Sequence, residues 1–554
     1  MLTTADNHSS KRVTPTQQPY TVAELILEQL SILGVERIYG VVGDAIFGLM
    51  DAIAKHKTIS FIAVRHESVA SLMASAEAKL TGRLGVCISQ MGPGLANLLN
   101  GLGDAYLDKA PVLAISGQAP LRKIGTFYKQ YINQQVLADA LAPYSQLIVH
   151  PDAVIDALKQ AVHTSCLHRT VSHLSIPADL FAMATTAQPF ERPSNPTLLP
   201  GTETVQQILS LISTAMQPMI LVGDAAQAAQ TSIQTFAEIW GCGIALSYGA
   251  TGAIPDNNPW LLGWLGEGGN PSLTHLFQKA DVILVIESSW WPDGDVPHTA
   301  QVIQIAKHQD DIGIAVPVDI GCIGDPAKIM PQLIAGLQGH LPNQAWLDQV
   351  RAGKQRWSEQ TDKERNQSSS PLHPANVIHL MEQHLDDDAI VALDEGDATL
   401  WFLRNFRPGH QRVLLSSRWR TMGFGLPAAM SAKLCSPDKQ VICITGDGGL
   451  GMVMADLITA AQYQLAITVV VYNNGTLQME RDKMFLKGLQ PEGTELTNPD
   501  FARVAEACGW DGYTIRNSDE FNEAFLQSRS SSKPVLLDVK IGRIPFPEFP
   551  KQPS

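Results

Sequence analysis

The chain has 554 residues, too many for a single core and enough for roughly two to four domains. Its 45% apolar and 17% charged content, with mean hydropathy near zero, is that of an ordinary globular protein, and no apolar run reaches the roughly 18 residues of a membrane span. A formal net charge of −14 argues against general binding to nucleic acid or an anionic membrane, so an anionic ligand has to be held locally by a metal ion, a helix start or a glycine-rich loop.

Residues 1–18 are polar, lack the apolar stretch of a signal peptide and read as a flexible tail. From Tyr20 the pattern alternates. TVAELILEQLSILG predicts an amphipathic helix closed by Gly34, RIYGVVG a strand and turn, and FIAVRHE a short strand. SVASLMASAEAKLTG predicts a helix of small residues, and LGVCIS and PVLAISGQ two more strands. A proline- and threonine-rich stretch, 187–204, reads as a linker between a first domain, 19–186, and a second, 205–345. PMILVGDA, CGIALSYGA, ADVILVIESS and AQVIQIA are the strands of the second. The polar run 346–374 reads as another linker. The third domain, 375–545, carries AIVALDEG, QVICITGDGG, AITVVVYNNG and PVLLDVKIG before a short tail, 546–554. Short strands separated by helices of about 10–15 residues predict parallel sheets covered by helices on both faces, so the fold class is α/β with three doubly wound domains. The seven cysteines (87, 166, 242, 322, 435, 443 and 508) are scattered and form no C-x-x-C pair. They predict buried thiols in a reducing compartment, the cytoplasm, rather than a disulfide framework or a zinc site.

The most specific chemistry lies in QVICITGDGGLGM followed by AITVVVYNNGT. An apolar strand delivers Gly446-Asp447-Gly448-Gly449 at its C-terminal end, where open α/β sheets place ligands. Glycines there let backbone N–H groups approach phosphate oxygens, and the following helix start adds a favourable dipole. Asp447 offers a hard carboxylate oxygen, and Asn474 offers an amide oxygen 474 − 447 = 27 positions later, about one βαβ crossover. With the carbonyl of Thr476 they predict an oxygen set for Mg²⁺ shared with a diphosphate. A lone GDG would more often be a turn.

GDGG followed by NN resembles the cofactor signature of thiamine diphosphate enzymes, and the resemblance runs over roughly residues 20–545. The pyruvate oxidase branch is the most similar and acetolactate synthases are next, through GVERIYGVVGDAIFGLMDAI, RHESVASLMASAEAKLTG, GPGLANLLNGLGDAY, MGFGLPAAM and GTELTNPDFARVAEACG. The resemblance implies pyrimidine-binding, central and diphosphate-binding domains. It implies that Glu67 hydrogen-bonds the aminopyrimidine of the cofactor, that Met422 props the cofactor into its bent shape, and that Met479 lies against it. The implied activity is decarboxylation of a 2-oxo acid, pyruvate by default, followed in an oxidase by oxidation of the enamine. Glu67 and the GDGG site are implied to come from different subunits, so the chain is expected to be a homodimer or homotetramer. Without the family pattern, Glu67 would read as a helix-start acid and Met422 as ordinary core.

Three stretches depart from the family pattern. Where a Phe-Gln-Glu triplet is usual the chain has Lys129-Gln130-Tyr131, which keeps only Gln130 as a candidate catalytic group. After the metal ligands it has Gln478-Met479-Glu480-Arg481-Asp482. Glu480 there is a candidate proton carrier and Arg481 an anion partner, or both belong to a salt-bridged helix face. The middle domain, expected to bind FAD in flavin-containing members, ends one strand in Ile305-Ala306-Lys307-His308 rather than in acids, and has no arginine over 201–340. Trp290 and Trp291 are read as fillers of a vacated flavin site or as core. The short proline-rich C-terminus offers no membrane-docking helix. Two alternatives to the oxidase stand beside it: a non-redox carboligase, lyase or acyl transferase of acetolactate synthase type, and a non-catalytic binding homologue. The intact Glu67, Asp447 and Asn474 oppose the second.

Overall fold

The computed structural model describes residues 19–191, 200–288 and 299–546. Trp290, Trp291 and much of the first linker lie outside the described residues. The first sheet holds β1 (Arg37–Gly40), β2 (Ser60–Ala63), β3 (Gly85–Ser89), β4 (Val112–Gln118), β5 (Tyr144–Leu147) and β6 (Val171–Pro177). The second holds β7 (Pro218–Val222), β8 (Gly243–Leu246), β9 (Leu261–Trp264), β10 (Val282–Ile286), β11 (Gln301–Ala306) and β12 (Ile320–Ile323). The third holds β13 (Ile390–Leu393), β14 (Arg412–Leu414), β15 (Val441–Gly446), β16 (Thr468–Asn473), β17 (Asp511–Ile515) and β18 (Val535–Lys540).

Every ladder pairs in parallel. The orders are β2-β1-β3-β4-β6-β5, β12-β11-β10-β7-β8-β9 and β14-β13-β15-β16-β18-β17. The expected α/β class with three parallel sheets is therefore what the chain adopts. Val- and Ile-rich runs such as β15 and β16 are buried on both faces, which is why they read as unbroken apolar stretches rather than as alternating ones.

Four helices bear on the site: α1 (Glu67–Thr81), α2 (Asp397–Asn405), α3 (Gly425–Cys435) and α4 (Gln478–Leu486). Small residues let α1 lie against both the first sheet and α3. A Cβ on Gly85 of β3 would come within 2.1 Å of the Ala74 carbonyl oxygen, and Ser431 Oγ donates to the Met73 carbonyl at 3.0 Å. The first and third domains of one chain thus share a core in which Leu72, Met73, Phe424 and Met430 are all buried.

The polar run read as a second linker differs from that expectation. Gln344–Arg365 is a 22-residue helix. Its burial rests on a sparse face, Trp346, Leu347 and Val350, and on two ion pairs to the third domain, Arg404–Glu364 at 2.7 Å and Arg365–Glu382 at 2.5 Å.

Candidate active site

The third sheet reverses direction between β13 and β15, and such a crevice at the carboxyl ends of strands is where ligands sit. Gly446 ends β15 in register with Tyr472 of β16, so Asp447 and Asn474 emerge side by side. Asp447 is 4% exposed. Its Oδ1 accepts from the Gly448 N–H at 2.9 Å, and its Oδ2 accepts from the Gly475 N–H and from Asn498 Nδ2, both at 2.7 Å. Among the described residues no cation pairs with it. Burial pushes its carboxyl above the usual range, against the pull of those N–H groups.

The next loop is fixed from outside. Asn474 Oδ1 accepts from the Thr476 N–H at 3.1 Å, and Arg543 donates to the carbonyls of Asn474 and Gly475 at 2.8 and 3.0 Å. Gly475 has φ +69°, which a side chain would strain. The Thr476 carbonyl accepts from the Gln478 N–H at 2.9 Å.

Glycine makes the room. A Cβ on Gly446 would meet nothing within 4 Å, whereas one on Gly448 would lie 2.7 Å from Leu477 Cδ2 and 3.1 Å from Met422 Cε. Met422 therefore stands directly over the GDGG turn. Gly449 is pressed on Asp394, whose Oδ2 would lie 2.6 Å from its Cβ.

The opposite wall of the crevice was not singled out in the sequence. Asp394-Glu395-Gly396-Asp397 follows β13, and the signal was available: an apolar strand, AIVAL, ending in polar residues with a glycine, as VICIT does. Asp394 is the bracket. It accepts from the N–H groups of Glu395 and Gly423 at 2.8 and 2.6 Å and from Thr445 Oγ1 at 2.7 Å, and burial pushes it up to about 6. Burial pushes Glu395 up to about 7, although Tyr248 of the central domain donates to it at 3.1 Å. Burial and the nearby Asp482 push Asp397 up to about 8.

Glu67 is the first residue of α1, buried, with Oε2 accepting from Asn97 Nδ2 at 3.0 Å. It lies beside the Gly92-Pro93-Gly94 turn, where a Cβ on Gly94 would be 3.3 Å from Oε1. Gln130 meets the same turn. It has φ +59°, accepts at Oε1 from Gln90 Nε2 at 2.9 Å, and its carbonyl would touch a Cβ on Gly92 at 2.5 Å. Lys129 is exposed and pairs with Asp44 at 2.6 Å.

Met479 and Glu480 lie in the first turn of α4, Met479 packed on the core and Glu480 exposed, 3.8 Å from Lys483. Arg481 pairs with Glu495 at 3.3 Å, and Glu495 also takes Arg543 at 2.9 Å. The structure thus brings Met422, Gly446, Asp447, Gly448, Gly449, Asn474 and Thr476 into one place on the third domain. It brings Glu67 and Gln130 into another on the first.

The residues fit a metal-bound diphosphate: a buried carboxylate without a counter-ion, an amide oxygen and a carbonyl beside an open glycine. Fold and site together define an α/β enzyme built to hold a diphosphate-bearing cofactor at a strand-end crevice. Comparison with known proteins gives the family. Residues 20–142, 205–333 and 394–539 match, in turn, the N-terminal TPP binding domain, the central domain and the C-terminal TPP binding domain of the thiamine pyrophosphate enzymes. The Bacillus subtilis protein YdaP, whose name ties it to thiamine pyrophosphate, is 34% identical over 95% of this chain and 92% of its own. Pyruvate oxidase of Lactiplantibacillus plantarum is 28% identical (94% and 89% covered), and the large subunit of acetolactate synthase isozyme 2 of Escherichia coli is 29% identical (94% and 96%). The chain belongs to the thiamine pyrophosphate (thiamine diphosphate) enzyme family, in the branch of pyruvate oxidase and acetolactate synthase.

Proposed function

We propose that this enzyme decarboxylates a 2-oxo acid, pyruvate by default, with thiamine diphosphate held through Mg²⁺. The observation that carries the reading is Asp447, a buried carboxylate ringed by N–H donors and with no cation among the described residues, beside the Asn474 loop. Asp447, the Asn474 side chain and the Thr476 carbonyl would hold the metal, and Gly446, Gly448 and Gly449 would leave room for the diphosphate. When bound, the cofactor supplies an electron sink for the bond to the departing carboxylate.

The protein's own groups do the rest. Met422, fixed over Gly448, shapes the cofactor's seat. Glu67, held at one oxygen by Asn97, keeps its other oxygen for a proton at the aminopyrimidine. Gln130 lines the substrate side and Met479 backs the crevice, while Glu480, exposed and 3.8 Å from Lys483, fits the salt-bridged helix face better than a proton carrier. Glu67 and Asp447 are expected to meet across a subunit interface, so the working unit is a homodimer or homotetramer. In one chain the strand leading to Glu67 docks elsewhere: the Arg65 N–H donates to Asp456 and the Ala63 N–H to the Tyr463 hydroxyl, at 2.9 and 2.7 Å. A cytoplasmic setting is supported by the absence of any disulfide among the cysteines of the described residues. Among the described residues no helix is long and apolar enough to cross a membrane.

The test is CO₂ release from pyruvate and a panel of 2-oxo acids, with thiamine diphosphate and Mg²⁺ and after their removal by chelation. Release that depends on both supports the reading, and no release from any 2-oxo acid refutes it. From that step the pyruvate oxidase-like and acetolactate synthase-like outcomes diverge, the first needing a flavin in the central domain.

A further inference from the structure

The central sheet reverses between β7 and β10, and a dinucleotide on such a sheet lies across that crevice with its diphosphate against the turn after the first strand. A cavity of about 1430 Å³ opens there, walled by all three domains. Its size admits a flavin dinucleotide. Its backbone and its charges do not.

The turn after β7 has one glycine, Gly223, and its bareness is already used. A Cβ there would come within 1.9 Å of the Glu287 carbonyl, so the strand-end backbone of β10, not a phosphate, occupies the close approach. The next residue is Asp224, exposed to the cavity, where the surrounding protein and the neighbouring Asp108 push its carboxyl up against the pull of Arg169 and Arg418. Glu287, at φ +52°, lines the same crevice from the end of β10 and is pushed by burial up to about 7. A diphosphate would meet two carboxyls where it needs N–H groups and cations.

The far end is reversed as well. A nucleotide's ribose hydroxyls are met by an acid in such folds, but here β11 runs into Lys307 and His308. The Lys307 N–H donates to Glu287 at 2.7 Å, and its ammonium stands 3.6 Å from Asp325. Of the first-domain cations that line the cavity, Lys79 is held by Asp104 and Asp108, Arg83 by Glu36, and Lys109 and Arg169, both at positive φ, close on the single carboxylate of Asp311. Three of the cavity's wall residues thus hold backbone conformations that non-glycine residues avoid, and they are used to fix charges in an order opposite to that of a dinucleotide site.

We infer that the central cavity rejects a flavin dinucleotide, and that the enzyme therefore completes its reaction without a flavin-borne oxidation. This second half rests on the decarboxylation proposed above. The C1–C2 bond of one 2-oxo acid breaks and CO₂ leaves. The carbon left with the electron pair then takes up a proton, or bonds to a second carbonyl carbon whose oxygen takes up the proton. No electron acceptor is consumed.

The experiment uses the full-length protein purified from flavin-replete cells. Its visible spectrum is recorded, released cofactors are identified by mass spectrometry, and FAD is titrated into the cofactor-stripped protein. The expected result is flavin far below one per chain and no saturable FAD binding. The double variant Asp224→Gly, Lys307→Asp should bind FAD at least about tenfold more tightly than the parent. Stoichiometric FAD in the parent overturns the inference, and so does a double variant that binds FAD less well than a flavin-binding parent. In parallel, pyruvate consumption is followed with and without an artificial electron acceptor. Consumption unchanged by the acceptor supports the non-redox outcome, and consumption that requires it overturns that half. A flavin-free protein that releases no CO₂ at all removes the decarboxylation reading and leaves the cavity inference standing.

Discussion

Replacing Asp447 by Asn separates the metal's role from the fold's. The carboxylate accepts three N–H donors, one on Oδ1 and two on Oδ2. An amide keeps one oxygen, which can stay with Gly475 and Asn498, and turns its NH₂ toward the Gly448 N–H. Losing that bond to a charged acceptor costs about 1.5–3 kcal/mol. Against it stands relief from burying an ionised carboxylate, whose cost shows in the raised pKa. The two nearly offset, so the cofactor-free variant should unfold close to the parent. The cofactor-bound states should not match. In the parent, thiamine diphosphate with Mg²⁺ at about 100 times its Kd adds about 2.7 kcal/mol. At about 2–4 °C per kcal/mol for a domain of this size, that raises the midpoint by about 5–10 °C. Asp447→Asn should lose the whole increment, and chelation should remove it from the parent. Differential scanning fluorimetry with calorimetric titration reads both. A variant that keeps the parent's Mg²⁺-dependent shift at the same concentrations refutes the assignment of Asp447 as a metal ligand.

Glu67→Gln leaves an oxygen for Asn97, so the cofactor-induced shift should survive while turnover falls by about 10²–10⁴-fold; full turnover would remove Glu67 from proton handling. Arg404→Met strands Glu364, which is 5% exposed and sits 2.7 Å from the guanidinium, at a cost of about 3–5 kcal/mol in denaturant unfolding. Adding Glu364→Leu should restore most of that loss, and a further drop would show that the pair is not the cause. For pH, Asp394, Glu395 and Asp397 stand at about 6, 7 and 8, all above their unfolded values, so the folded state holds more protons. The stability they contribute is full below about pH 4 and is lost as pH rises through each folded value. Asp397→Asn should flatten the upper part of this fall in the cofactor-free protein, and an unchanged difference from the parent between pH 6 and about 8 would exclude that titration.

The strand ends that carry GDGG and NN were legible because glycine and amide residues interrupt apolar runs there, and parallel neighbours must end at the same edge. Asp394 to Asp397 were not, because an acid after a strand reads equally well as a solvated turn. Only the pairing of β13 with β15, residues 390–393 against 441–444, makes them the second wall of the crevice. The helical character of Gln344–Arg365, inside the run read as a linker, was not legible for a related reason. Its apolar face is confined to Trp346, Leu347 and Val350, while its remaining burial depends on ion pairs to distant residues. Of the two readings of Arg481, the pairing with Glu495 supports the salt-bridged face over a free anion site.

Both crevices are lined by carboxyls, and the difference between them is a matter of glycines. In the third domain Gly446 faces open space and Asp447 lies next to an amide-bearing loop, so a divalent cation can turn the acids from an obstacle into ligands and then carry the diphosphate. In the central domain Gly223 is closed by the Glu287 backbone, and Glu287 answers the Lys307 N–H. Among the described residues no amide-bearing loop like that of Asn474 stands beside it, and the closed Gly223 offers a phosphate no approach. A chain of net charge −14 has to hold an anionic cofactor by local means, and among the described residues the third-domain crevice supplies the oxygen set and the open glycine for that.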